Sequence, residues 1–338
     1  VTGDRPTVLI TGASSGIGLA TARDFARRGA RLVLVSRSPE ALTVAADSCT
    51  ALGAEVITAP ADIGVAAEVD GAFAAAVARF GRIDVVVNSA ATVAYGRFVD
   101  VPADIFDRVL QTNLIGTANV ARAALRQFEV DGGGDLILVG SLLGKIAVPT
   151  MGSYVTGKWA VHGLARILQL EARQMDGVRV SLVSPGSVDT PVYAQAANYV
   201  GWEGRPPPPV DPPEKVARAI VAAVGRQRRD RSVGIANELV VLGFRMLPAV
   251  YDALVTPLVK LAAHSRTPVE PWAGNVVEPQ PAGEAEHGKW GRHWLRGVTA
   301  GSVAVAGGVA GAVLRGRSAG QDAVPGGAAQ PAAEHSGR

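Results

Sequence analysis

Short apolar runs alternate with longer Ala-rich stretches through about the first 190 residues of the chain. The runs lie at residues 7–10, 31–36, 55–59, 85–88, 135–140 and 179–184, and the helix-like stretches include 16–28, 66–80, 103–127 and 154–175. Within the runs Val, Ile and Leu follow one another without polar alternation, the pattern of strands buried on both faces. Strand followed by helix, repeated over this length, predicts an α/β protein with a doubly wound parallel sheet. In such a sheet, ligand chemistry belongs at the carboxyl ends of the strands.

The pattern weakens after Pro191. An aromatic-bearing segment, 193–210, ends in four successive prolines, and a helix-like stretch with Pro at its first turn follows at 213–224. Arg226–Arg231 is a short basic run. An apolar stretch over 239–263 contains Pro248 and Pro257, which are expected to divide it into short helices. The expected organisation is therefore a domain at 1–232, a helical and irregular C-terminal extension at 233–295, and a Gly/Ala-rich tail at 296–338.

Composition narrows the possibilities. Apolar residues at 48% are enough for a substantial core, which excludes wholesale disorder. Cys49 is the only cysteine, so neither a disulfide framework nor a Cys-based zinc site can form, and no metal is expected. The net charge is only +3 and aromatics are 5%, unlike the concentrated basic face of a nucleic-acid reader, so no nucleic-acid partner is expected. The first apolar run is too short for the core of a secretory signal, which predicts a cytoplasmic protein.

Thr11-Gly12-Ala13-Ser14-Ser15-Gly16-Ile17-Gly18 follows the first strand and opens a helix. Glycines there let the backbone turn tightly against a pyrophosphate, and helix N–H groups meet its charge. The second strand ends in Ser36-Arg37, where an NAD site usually carries an acid for the ribose 2′-hydroxyl. No acid stands there, and the Arg37 fork suits a 2′-phosphate, so NADP(H) is expected in preference to NAD(H). Asp62 and Ile63 follow the third strand, with Asp62 able to bond an adenine amino group or to cap a helix. Asn88 and Ala90 close the fourth strand beside the expected cofactor ribose.

Tyr154 and Lys158 stand four residues apart, on one face of a helix, and Ser141 lies at the end of the fifth strand. An adjacent ammonium favours a phenolate, so the Tyr154 pKa is expected to fall from about 10. Tyr154 is then suited to act as general acid toward a carbonyl or base toward a hydroxyl, with Ser141 holding the same oxygen.

Together these motifs resemble the branch of the short-chain dehydrogenases/reductases that is roughly 250 residues long, over about residues 5–230 of this chain. The resemblance implies a Rossmann-like fold and metal-free hydride transfer between a nicotinamide and an alcohol/carbonyl pair. It implies that Asn113 supports a water relay to the lysine. It also implies that Pro185, Gly186, Val188 and Thr190 face the nicotinamide. Ser89, Ala91 and Ser184 depart from the family's usual Asn, Gly and Asn. The family commonly assembles as dimers or tetramers, which places Trp159 at a subunit interface. His162 is expected to pack on its helix, and His264, His287 and His293 lack any supporting ligand pattern.

Tyr193, Tyr199 and Trp202 suggest an aromatic lid over an apolar pocket and a lipophilic small-molecule alcohol or ketone. Residues 297–314 carry no charge and are flanked by arginines, with Gly307-x-x-x-Gly311 suited to close packing, so membrane association of the tail is a further expectation. The competing reading is a catalytically silent, NADP(H)-sensing regulator or scaffold.

Overall fold

A computed structural model describes residues 5–291 of the chain. Seven strands form the central sheet: β1 (Thr7–Thr11), β2 (Arg31–Ser36), β3 (Glu55–Pro60), β4 (Val85–Asn88), β5 (Gly134–Val139), β6 (Val178–Pro185) and β7 (Arg231–Val233). All are parallel, in the order β7-β6-β5-β4-β1-β2-β3. β1 lies between β2 and β4, so the chain reverses direction across the sheet at β1, and a crevice opens there at the carboxyl edge.

Helices cover both faces, which is why the strands read as unbroken Val, Ile and Leu. One layer consists of α1 (Gly16–Arg27), α2 (Pro39–Thr50) and α7 (Pro213–Val221). Leu19, Phe25, Leu42 and Ile220 from these helices are buried against Ile10, Leu34 and Val87. The opposite layer consists of α3 (Ala66–Phe80), α5 (Thr117–Asp131) and α6 (Gly152–Glu171). It buries Phe73, Val120, Phe128 and Leu168 against Leu9, Val86 and Leu136. Asp135 on β5 is buried and holds Arg179 of β6 through two bonds of 2.8 and 3.0 Å, stitching neighbouring strands together.

The stretch expected as one helix over 103–127 is α4 (Ala103–Leu110), a π-helical turn at Gln111–Gly116, and α5. The wider turn places Asn113 inward, where a straight α-helix would rotate it differently. β7 was not legible in sequence. It has three residues, begins on the last arginine of the basic run, and is recognisable only by its pairing with Val183–Pro185.

Beyond β7 lie α8 (Asn237–Met246) and α9 (Pro248–Ala262). Pro248 separates them as expected, but Pro257 does not divide α9 and sits inside it. No residue of α9 is buried, so water can serve the carbonyl that Pro257 leaves without a donor. Leu239, Leu242, Met246, Leu254 and Leu258 are exposed on this pair. No helix among the described residues is long and apolar enough to cross a membrane. The tail singled out in the sequence lies outside the described residues.

His264–Pro268 pairs with Trp202–Gly204, and the chain from 269 to 291 then returns along the carboxyl edge of the sheet.

Candidate active site

The glycine-rich loop joins β1 to α1 at the reversal point of the sheet. A Cβ on Gly18 would lie 2.0 Å from the Gly12 carbonyl oxygen, so only glycine lets the first turn of α1 fold this closely onto the loop. Thr11 donates to Asn88 Oδ1 at 2.6 Å, and Asn88 Nδ2 donates to Thr117 at 2.9 Å. Thr117 in turn donates to the Asn113 carbonyl at 2.6 Å. This chain of buried bonds ties β1, β4 and α5 together below the cleft. Asn88 is therefore consumed as a tether, and its neighbours Ser89 and Ala90 line the opening instead.

Two adjoining cavities share Gly12, Ser15, Ala90, Ala91, Gln195 and Asn275 and form one cleft. The first is lined by Ser14, Ser36, Arg37, Asp62 and Ile63. The second is lined by Gly16, Ile17, Ser141, Tyr154, Lys158, Pro185, Gly186, Val188 and Thr190. The structure thus gathers these sequence-predicted residues around one opening. Gly18, Asn88 and Asn113 do not line it.

Asp62 acts locally: Oδ1 accepts from the Gly64 N–H at 2.8 Å, and Oδ2 pairs with Arg108. Asn113 is locked to one residue, accepting from Thr92 N and donating to Thr92 O, each at 2.9 Å. A Cβ on Gly157 would lie 3.3 Å from Asn113 Cβ, so α6 passes the π-turn closely between Tyr154 and Lys158.

Ser141 and Tyr154 line the same cavity, and the nearby Ser141 hydroxyl favours the Tyr154 phenolate. Lys158 Nζ lies 5.6 Å from the Tyr154 ring centroid and donates to the Val139 carbonyl at 2.9 Å. The expected fall in the Tyr154 pKa is overturned. Burial pushes it up to about 12, against a smaller opposing effect of the nearby Ser141 hydroxyl. Burial also pushes Lys158 down to about 8. With both groups enclosed, loss of water is the main cause of both shifts, and at neutral pH Tyr154 carries its proton.

His162 packs on its helix as expected and also supports Ser141. Its Nε2 lies 3.5 Å from Ser141 N and 3.4 Å from Ser184 Oγ. Burial holds its pKa down to about 4, so the ring is neutral near pH 7. Ser184 donates to Asp230 at 2.6 Å, and Asp230 pairs with Lys145 at 2.6 Å. Neither Asp230 nor Lys145 stood out in sequence, because both sit among ordinary surface charges along the chain.

Of the three aromatics expected to form a lid, Tyr193 alone lines the cleft. Tyr199 packs with Val101 and Ile105, and Trp202 is exposed on the short strand. Trp159 donates to the Ile146 carbonyl at 3.0 Å and meets Phe244 of α8 edge-on.

The family model for short chain dehydrogenase matches residues 6–199. The chain belongs to this family. An uncharacterised oxidoreductase of Bacillus subtilis, YxnA, is 32% identical over 292 residues, covering 86% of this chain and 82% of that protein. A D-beta-hydroxybutyrate dehydrogenase of Rhizobium meliloti is 34% identical over 55% of this chain and 72% of its own length. An alcohol dehydrogenase structure from Thermococcus sibiricus, complexed with 5-hydroxy-NADP, is 28% identical, with a TM-score of 0.60 and coverage of 68% of this chain and 96% of that one. This short-chain dehydrogenase is accordingly an NAD(P)-dependent oxidoreductase acting on alcohol and carbonyl groups.

The residues present fit a dinucleotide. The glycine loop lines both cavities, and Thr112 Oγ1, Asn275 Oδ1 and Glu284 Oε2 are buried polar atoms around the first cavity without a protein partner. Thr112, Gln195, Asn275, Pro279 and Glu284 line the cleft without having been legible in sequence.

Proposed function

We propose that this short-chain dehydrogenase interconverts an alcohol and a carbonyl on a lipophilic small molecule, with NADP(H) preferred and Tyr154 as the proton-transferring group. The observation that carries the reading is that Ser141, Tyr154 and Lys158 line one cavity of the cleft, with the buried lysine one helical turn from Tyr154. Bound nicotinamide supplies or accepts the hydride.

Ser141 positions the substrate oxygen beside the Tyr154 hydroxyl. A protonated Tyr154 is ready to give its proton to a carbonyl oxygen as negative charge develops there. Lys158, held by the Val139 carbonyl, stabilises the phenolate that remains. In the oxidative direction the phenolate must form first, so alkaline pH favours that direction. Val188, Val192 and Tyr193 give the second cavity an apolar wall suited to a lipophilic substrate.

The NADP(H) preference rests on Arg37 in the first cavity and on the absence of an acid at the end of β2. Initial rates with both cofactors test it, and an equal or better rate with NAD(H) would overturn it. Tyr154→Phe tests the mechanism. Turnover should fall by about a thousandfold or more while titration calorimetry shows cofactor affinity nearly unchanged. Near-normal turnover in that variant would remove Tyr154 from the reaction.

A further inference from the structure

The returning segment at 273–291 ends on the groups that would hold a phosphorylated ribose. The Arg37 guanidinium donates to three of its successive carbonyls: Val276 at 3.2 Å, Val277 at 3.3 Å, and Asn275 through Nη2. Farther along, the Ala285 carbonyl accepts from the Gly16 N–H at 2.9 Å, and Glu286 pairs with Arg23 of α1. Between these anchors the Glu284 carboxyl lines the first cavity together with Ser14 and Arg37 and lies in the field of Arg37.

The segment is firmly built into the edge of the sheet. Asn275 N donates to the Gln195 carbonyl at 2.8 Å, and its side chain donates to Gln195 Oε1 at 3.1 Å. Gly274 has φ +58°, and a Cβ there would lie 2.4 Å from the Ala197 nitrogen. Asp189 accepts from the N–H groups of Trp290 and Gly291 at 3.0 and 2.9 Å. These bonds make 273–291 a strap rather than a loose end.

A 2′-phosphate needs the donors of Arg37, and the strap carbonyls already hold them. Glu284 adds a negative charge where the phosphate's own would arrive, and two anions in one partly buried cavity repel each other. A free 2′-hydroxyl differs because it brings a donor. Glu284 Oε2 is a buried acceptor without a partner beside that same cavity.

We propose that the strap, through Glu284, is a tethered competitor for the 2′-phosphate subsite. A 2′-phosphorylated dinucleotide binds by displacing it from Arg37, whereas one with a free 2′-hydroxyl leaves the strap's contacts with Arg37 in place. The inference rests on Arg37 being the 2′-phosphate contact.

Calorimetric titration of the full chain with adenosine 2′,5′-bisphosphate and with 5′-AMP tests it without any turnover. Glu284→Gln should tighten the bisphosphate by about tenfold, equivalent to about 1.4 kcal/mol, and leave 5′-AMP no tighter. Unchanged bisphosphate affinity, or equal tightening of both ligands, would overturn the competitor. Arg37→Ala, made alone and with Glu284→Gln, separates the two levels of the argument. If it weakens the bisphosphate while Glu284→Gln has no effect, the competitor alone fails. If it leaves the bisphosphate unaffected in both backgrounds, the Arg37 contact fails, and the proposal with it. Hydrogen exchange on the unmutated protein is independent of any variant. The bisphosphate should speed exchange across 273–291 and 5′-AMP should not; slower exchange with the bisphosphate would make the strap a cover and refute competition.

Discussion

Lys158 is 4% exposed, and burial lowers its pKa from 10.5 to about 8. The native fold therefore releases this proton more readily than the unfolded chain does. Below about pH 8 both states carry the ammonium, and the native state bears the full cost of enclosing it, about 3 kcal/mol. Between about pH 8 and 10.5 the unfolded chain holds more protons than the native one, so native stability contributed by this residue rises with pH. Lys158→Met removes the titration. Comparing the two proteins at about pH 7.5 and about pH 10 cancels every other ionisation that they share. Urea unfolding of wild type and variant at both pH values should show wild type gaining about 2 kcal/mol on the variant over that interval. The lost bond to the Val139 carbonyl shifts the comparison by a nearly constant amount and leaves the pH slope. Parallel pH dependence, or a relative loss by wild type at high pH, would show that the Tyr154 ring and the carbonyl offset the burial. The lysine would then be a stabilised cation.

Ser141→Ala removes the hydroxyl that shares the cavity with Tyr154 and should lower kcat/KM by about a hundredfold, with cofactor affinity by calorimetry unchanged. Asp135→Ala strips the half-buried Arg179 of both its bonds and the Gly225 N–H of its acceptor. It should cost about 3 kcal/mol in urea unfolding, a loss that Asp135→Asn recovers only in part because the charge is gone.

The sheet was legible because burial on both faces writes itself into the strands as unbroken Val, Ile and Leu, and because helical periodicity fills the gaps. Ser141, Tyr154 and Lys158 were legible because hydroxyl, phenol and ammonium at fixed separations carry a chemistry that packing does not require. Their ionisation was not, since it depends on how completely neighbouring elements exclude water. The strap escaped notice for a different reason. It meets Arg37 with the carbonyls of Asn275, Val276 and Val277, and a carbonyl is the same whichever side chain it belongs to. Its one telling side chain, Glu284, lies far from Ser14 in the sequence and looks there like part of a polar stretch. β7 was hidden by its brevity and by arginines that read as a solvated run.

The π-turn at Gln111–Gly116 bears on how this sequence can change over time. A π-turn holds one residue more than the α-helical turn it replaces. Deleting a single residue here would restore regular helix and rotate everything upstream by about 100° relative to α5. Asn113 would swing away from Thr92, and the bond from Thr117 to its carbonyl would be lost with it. Substitutions along the exposed flank of α4 can accumulate one at a time, whereas the length of this turn has no such gradual path. Loops elsewhere can lengthen or shorten between relatives, but the residue count from Thr92 to Thr117 is expected to drift least.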